Sequence, residues 1–436
     1  MATMDIENYK KELSGLGSKP GLDVITELLN KITTELELSE PLQDLIPAIH
    51  IAGTNGKGSS GTMIAAAFTQ AGFKVGHFSS PAVMSYEEMF RIDGEAVSDD
   101  NLEKIFSLIE SVASKMETHP TLFEVETAAA FLYFYRNNCD INVIECGMGG
   151  RLDATNVMSN KLANVFTPIG YDHMSFLGNT IQEIALQKAG IMCENVPGIM
   201  CQSNEDVMET LASEAERIGT PLLLADSRAI YNASYDFAGG IAVQRFEYDG
   251  HEVTIHLAGT YQRDNAILAI KTIQAIGEIF PKYKIDFTDI NEGISKVQMP
   301  GRFELINKNP LFYIDGAHNP AAACRLRESI QLYFTNRRLI FIIGVLADKE
   351  YDKVLSIMAP LADEIYTITP PSPRALCSVD LALEAMKYSE KVKACESIYE
   401  AVQCAISSAE SDDIILAFGS LSYLSEIKNT VGEYNG

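Results

Sequence analysis

"HIAGTNGKGSSGTMIAAAF", residues 50–68, is the stretch on which the reading of this chain turns. A strand-like run, "PAIHIAG" (47–53), enters it, and a helix-like run, "GTMIAAAFTQAG" (61–72), leaves it. Strand, glycine-rich turn and helix in that order can build a phosphate cradle. N–H groups at the helix start point at the anion, the helix dipole adds positive potential, and a lysine supplies a point charge. Lys57 is that lysine, Gly53, Gly56 and Gly58 let the backbone approach closely, and Ser59 offers a hydroxyl to Mg2+. The spelling departs from the common G-x-x-x-x-G-K-[ST]. Ile51 stands where the opening glycine is expected, and Gly58 separates Lys57 from Ser59 and Ser60. By itself the loop is either a nucleotide site of another kind or a tight βα turn.

Outward from the loop, short apolar runs alternate with helical patterns. Strands are expected at 73–80, 140–147 and 162–169, at "GIMCQ" and at "PLLLA". Helices are expected at 121–137, 180–192 and 263–280, and a hairpin over 242–257 turns at Asp249-Gly250. A second strand–helix series opens near residue 311 with "LFYID" and continues through 338–345, 363–369 and 412–420. Such alternation predicts an α/β protein with parallel sheets covered by helices in both parts. Pro300-Gly301, in "VQMPGRFE" (297–304), punctuates the chain where a boundary is expected, giving domains 1–297 and 298–436.

The 436 residues suit two or three domains. A net charge of −25 argues against nucleic acid and anionic membranes as partners, so an anionic substrate must be met by local cations. The eight cysteines form no C-x-x-C pair and read as reduced cytosolic thiols. No apolar run is long enough to span a bilayer.

Four further segments place chemistry at strand ends or beside them. Glu145, in "VIECGMGGRLDATN" (143–156), ends a strand, where α/β proteins bind ligands, and one carboxylate there suits Mg2+; a solvated surface acid is the plainer alternative. Asp172 and His173 follow another strand, and His173 is a metal ligand or a hydrogen-bonding residue. Lys188 lies inside a mostly apolar helix, which means a snorkelling side chain or a buried, paired or altered one. Asp315 and His318 sit between strand and helix in "YIDGAHNPAA" (313–322), where Asn319-Pro320 also reads as a helix cap.

Taken in order, "HIAGTNGKGSS", "FSSP", "FEVETAAAF", "ECGMGGRLDATN", "YDHMSFLGNTIQEIALQKAGI", "GTYQRDNAILAI", "MPGRFE" and "DGAHNP" resemble the folylpolyglutamate synthase/dihydrofolate synthase family of the Mur ligase superfamily. The family's own loop is G-T-N-G-K-G-[ST], so Gly58 is the family form. The resemblance implies an N-terminal P-loop ATPase domain of Mur-ligase type and a smaller C-terminal Rossmann-like α/β domain, with ATP and substrates in the cleft between them. It implies ATP contacts from Gly53, Thr54, Asn55, Gly56, Lys57, Gly58, Ser59, Ser60, Asn265, Arg302, Asp315 and His318. Two Mg2+ would be held by Ser59, Ser80, Glu145 and His173, and Lys188 would be a carbamate. Lys57, Lys188, His173 and Arg302 would carry the catalysis.

The implied reaction joins L-glutamate to the carboxylate of dihydropteroate or of a reduced folate through an acyl phosphate, releasing ADP and phosphate. Thr121 and Phe123 match positions that bind the pterin, with ordinary core packing as the plainer alternative, and Asp153 and Ala154 lie near that position. The chain departs from the family after Ser80: "SPAVMSYEEMFRIDG" replaces an S-P-H-L segment, with Ala82 in place of the histidine, which leaves the acceptor open. A Mur ligase for a UDP-muramyl peptide is the rival of like mechanism, disfavoured because only about 50 residues precede the loop. A nucleotide-binding regulator without turnover is the rival of another class. The implied partners are small molecules, and the implied state is a cytoplasmic monomer.

Overall fold

The computed structural model describes residues 6–15, 17, 20–238 and 241–434. The chain divides into two compact units. The first runs to Ala82 and adds Tyr86–Ala229 and Asp264–Val297; the second is Val83–Ser85, Ile230–Arg263 and Gln298–Gly436. Residues 230–263 thus group with the second unit, although they precede the boundary expected from Pro300-Gly301.

The first unit is built on strands β1 (Ala48–Ala52), β2 (Val75–Phe78), β3 (Phe90–Ile92), β4 (Glu95–Ala96), β5 (Ile141–Glu145), β6 (Lys161–Phe166), β7 (Gly198–Cys201) and β8 (Leu222–Ala225). They form one sheet in the order β4-β3-β2-β5-β1-β6-β7-β8. The β2-to-β8 portion is parallel, while β3 and β4 add antiparallel edges that the sequence pattern did not announce. Every residue of β1, β5 and β6 is buried, the pattern of strands covered on both faces. Helix Lys57–Gln70 carries the chain from β1 to β2, and the largely buried helix Leu122–Arg136 carries it toward β5. From β1 the chain crosses to one side and from β6 to the other, so the carboxyl ends of β1 and β6 flank a topological switch point, where open α/β sheets bind ligands.

The second unit holds two sheets. β9 (Ile230–Ala238), β10 (Ile241–Tyr248) and β11 (His251–Ile255) form an antiparallel sheet in the order β11-β10-β9. The hairpin turns at Asp249 and Gly250, both at positive φ, as a two-residue loop demands. β9 escapes a sequence reading because "IYNASYDFA" has no continuous apolar run. β12 (Glu304–Lys308), β13 (Leu311–Asp315), β14 (Leu339–Ile343), β15 (Glu364–Thr367), β16 (Val392–Ala394) and β17 (Ile414–Phe418) form the larger sheet, ordered β12-β13-β17-β14-β15-β16. It is parallel except for β12. Phe237 of β9 packs on Tyr313, Tyr333 and Phe334, which ties the small sheet to the larger one. Among the described residues no helix is long and apolar enough to cross a membrane.

Candidate active site

The glycine loop leaves β1 at the switch point, and its shape is fixed by its neighbours. Gly53 has φ +155°, and a Cβ there would lie 1.8 Å from Thr167 Oγ1, so the residue after β6 leaves no room for a side chain. Gly56 has φ +89°, and its Cβ would lie 2.6 Å from Asn265 Oδ1, which puts the buried Asn265 against the loop. The amides of Thr54 and Asn55 donate to Pro168 O at 2.9 and 3.3 Å. Thr54 Oγ1 donates to Gly170 O and accepts from Gly170 N. These two residues therefore anchor the loop to the segment after β6. The N–H groups with no acceptor inside the helix belong to the first turn, Lys57, Gly58 and Ser59. Ser59 and Ser60 are both buried on that turn.

Lys57 Nζ stands 3.4 Å from Glu145 Oε1. Glu145 is 5% exposed, so the strand-end acid is not a solvated surface group. Its Oε2 would lie 3.6 Å from a Cβ at Gly58, directly over the loop. Ser80 follows β2, whose Phe78 pairs with Ile144, so Ser80 leaves the sheet beside the strand that ends in Glu145. Hydroxyl and carboxylate oxygens are the donors Mg2+ prefers, and Ser59, Ser80 and Glu145 supply them. His173 lies on the segment after β6. It adopts φ +49°, its ring is 46% exposed, and Nε2 lies 3.8 Å from Asp172 Oδ2.

Lys188 does not snorkel. It is 4% exposed, and Nζ donates to Gly53 O at 2.7 Å. Burial, with help from the charge of Lys57, pushes its pKa down to about 7. A lysine amine that is substantially neutral near neutrality therefore sits under the loop's first carbonyl.

The expected pterin residues divide into two kinds. Phe123 lies against the Gly147 backbone, with its ring centroid 6.0 Å from that of Phe78. Thr121 caps helix Leu122–Arg136: its N and Oγ1 both donate to Glu124 Oε2, at 2.7 and 2.8 Å. Asp153 is buried and accepts from Met148 N, Thr155 N and Thr155 Oγ1 at 2.7, 3.0 and 2.6 Å. Burial raises its pKa and these bonds oppose the rise. Asp153 thus shapes the turn that carries the buried Ala154.

The sequence reading gave no role to His50. Its Nε2 lies 2.8 Å from Thr155 Oγ1 and 3.1 Å from Cys146 Sγ. Because Thr155 donates to Asp153, it accepts from His50, which assigns the ring proton to Nε2. Complete burial holds the ring neutral. The chain His50–Thr155–Asp153 fastens the strand that feeds the phosphate loop to the turn beside it. The one signal was a histidine inside the otherwise apolar "PAIHIAG".

In the second unit Asp315 ends β13 and accepts from Phe303 N and Ala317 N, both at 2.8 Å. Burial raises its pKa, and the Arg302 guanidinium counters this. Arg302 reaches the backbone at Gly316, where a Cβ would lie 2.6 Å from Nη1. His318 Nδ1 lies 2.8 Å from Gly316 O, which fixes its ring over the same turn. Asn319 Oδ1 accepts from Ala322 N and Pro320 opens the helix, so the cap read from sequence is present beside the two candidate residues.

The Mur ligase middle domain family matches residues 51–273, and the Mur ligase glutamate ligase domain family matches residues 301–421. The chain is 33% identical over 423 residues to a dihydrofolate synthase/folylpolyglutamate synthase of Bacillus subtilis, covering 94% of this chain and 95% of that one. A Mycobacterium tuberculosis folylpolyglutamate synthase solved with ADP and AMPPCP superposes with a TM-score of 0.86 at 30% identity, over 99% of this chain and 98% of that one. An Escherichia coli protein solved with DHPP and ADP gives 0.86 at 26% identity, over the full length of both.

Proposed function

The chain belongs to the dihydrofolate synthase/folylpolyglutamate synthase family of Mur ligases and is an ATP-dependent glutamate ligase; from that premise we propose how its residues divide the work. The observation that carries the reading is the Lys57–Glu145 pair over a glycine loop whose first carbonyl is held by Lys188.

A carboxylate is a poor electrophile, since its leaving group would be oxide. The acceptor carboxylate, of dihydropteroate or of a reduced folyl glutamate, attacks the γ-phosphorus of ATP. ADP leaves and an acyl phosphate forms. The amine of L-glutamate then attacks the acyl carbon, phosphate leaves, and an amide remains. Such transfer rests on positioning and charge neutralisation. Lys57 and the first-turn amides hold the β- and γ-phosphates, with Ser60 packed behind them. Asn265, Arg302, Asp315 and His318 hold the rest of the nucleotide. Two Mg2+ ions, held by Ser59, Ser80, Glu145 and His173, would neutralise phosphate charge when bound. No protein nucleophile is needed.

Lys188 is the carbamate candidate. Its neutral amine would attack CO2 and release a proton, and the carbamate nitrogen keeps one hydrogen for Gly53 O. The product is an anion where a cation would oppose Lys57. On the acceptor side, Phe123 offers a ring face to the flat pterin, while Thr121, Asp153 and Ala154 form its surroundings.

The test is ADP release with MgATP and L-glutamate, using dihydropteroate and, separately, a reduced monoglutamyl folate. Turnover with both makes the enzyme bifunctional. Turnover with folate alone assigns polyglutamylation and points to the unusual 81–91 loop. ADP release that ignores either co-substrate would sink the ligase reading.

A further inference from the structure

The second unit carries a cluster that the ligase reaction does not use. Lys393 and Cys395 lie two apart at the end of β16, so their side chains share a face. Glu400 and Cys404 lie four apart on helix Ile398–Ser408, so theirs do too. The two faces meet. Cys395 Sγ, a Glu400 carboxylate oxygen and Cys404 Sγ all lie within 4.8 Å of one another. Among the described residues this is the one group of three such donors gathered so closely. The surroundings fix each donor. Cys395 N donates to Thr367 O at 2.9 Å, Ser397 Oγ caps the helix by accepting from Glu400 N at 3.1 Å, and Glu400 Oε2 accepts from Glu396 N at 2.8 Å.

A cation already occupies this position. Lys393 Nζ donates to Glu400 Oε1 at 2.7 Å and to Cys404 Sγ at 3.2 Å. A long side chain thus places its charge on a carboxylate and a sulfur, beside the buried Cys395. From this geometry we propose that Cys395, Glu400 and Cys404 bind a thiophilic divalent cation of the Zn2+ class, with water as fourth ligand and Lys393 displaced outward. Zn–S bonds of about 2.3 Å in a tetrahedron place ligand atoms roughly 3.8 Å apart, within the spread seen. Binding releases two thiol protons to solvent. Two thiolates and one carboxylate then balance the dication and the displaced ammonium, so the site closes neutral. Two sulfurs and a single oxygen disfavour Mg2+, which takes oxygen donors. β16 lies four strands from β13 in the sheet, roughly 19 Å at ~4.8 Å per strand, so this is not the Asp315 position.

The experiment titrates the full-length, reduced, metal-free protein with Co2+ as a spectroscopic probe, then adds Zn2+. The expected result is one equivalent of tetrahedral Co2+ with thiolate-to-cobalt charge-transfer bands, bleached by Zn2+. Cys404→Ser loses those bands while Cys377→Ser, an exposed thiol elsewhere, keeps them. Glu400→Gln retains both thiols and is expected to bind Co2+ more weakly, which covers the case of a serine variant that fails to fold. Absence of thiolate bands in the wild type, or equal bands in Cys404→Ser, overturns the site.

Discussion

The ammonium of Lys57 stands 3.4 Å from Glu145 Oε1, and both side chains are largely shielded from water, at 14% and 6% exposure. A shielded carboxylate that balances the loop lysine would exchange that partner for Mg2+ while the lysine turns to phosphate. Lys57→Met is therefore expected to lower kcat by ~10²–10³-fold, the usual cost of removing one charged group that stabilises a transition state. Glu145→Gln should instead shift the Mg2+ dependence of ADP release to higher concentration. An unchanged Mg2+ dependence would remove Glu145 from the metal site.

Gly53→Ala brings a Cβ to 1.8 Å from Thr167 Oγ1 at a backbone φ of +155°. Strain and overpacking together predict a loss of about 2–4 kcal/mol in stability. Denaturant unfolding measures it. Adding Thr167→Ala removes the nearest atom and should restore part of the loss; no restoration would place the damage in the backbone angle alone.

Lys188→Ala is expected to abolish turnover and leave ATP binding largely intact, measured by titration calorimetry alongside ADP release. Carbamate formation needs the neutral amine. With the pKa near 7, carbamate and activity should fall as pH drops below that value and recover with added bicarbonate. Without CO2 the sign is set by linkage. The unfolded chain holds the proton up to the ordinary 10.5 and the native chain does not, so stability rises with pH from about 7 to 10.5. Full activity in Lys188→Ala would end the carbamate argument.

Tyr86, in the loop where the chain leaves its family's pattern, donates to Glu126 Oε1 at 2.9 Å. Burial raises the Glu126 pKa from 4.5 to about 7, against the effect of that bond. A raised folded-state pKa means stability that is present below about 4.5 and lost as pH rises through about 7. Glu126→Gln keeps an acceptor for Tyr86 and removes the charge. Its melting temperature should exceed the wild type's at pH 8 and approach it at pH 5; equal curves at both would show that Glu126 does not titrate there.

Much of this protein was written locally. Apolar runs placed β1, β2, β5, β6, β13, β14 and β17, because strands buried on both faces need no partner to be recognised, and β15 showed as a shorter run in "DEIYTIT". The loop "GTNGKGSS" left two readings open until the other motifs were taken with it, while Asp249-Gly250 named its turn, since backbone geometry there depends on residue type. Tertiary structure decided what depends on who lies opposite. The mostly exposed strand β9, the edge strands β4, β12 and β16, and β3 beside β4 exist through pairing, not composition. Lys188 could be read as snorkelling or buried until Gly53 O stood 2.7 Å from it. Asp153 carries its burden through Thr155 and His50, the latter about a hundred residues away, and Cys395 meets Cys404 only because a strand end and a helix face converge. Charge, burial and hydrogen bonding are set by neighbours in space, and the chain order alone does not contain them.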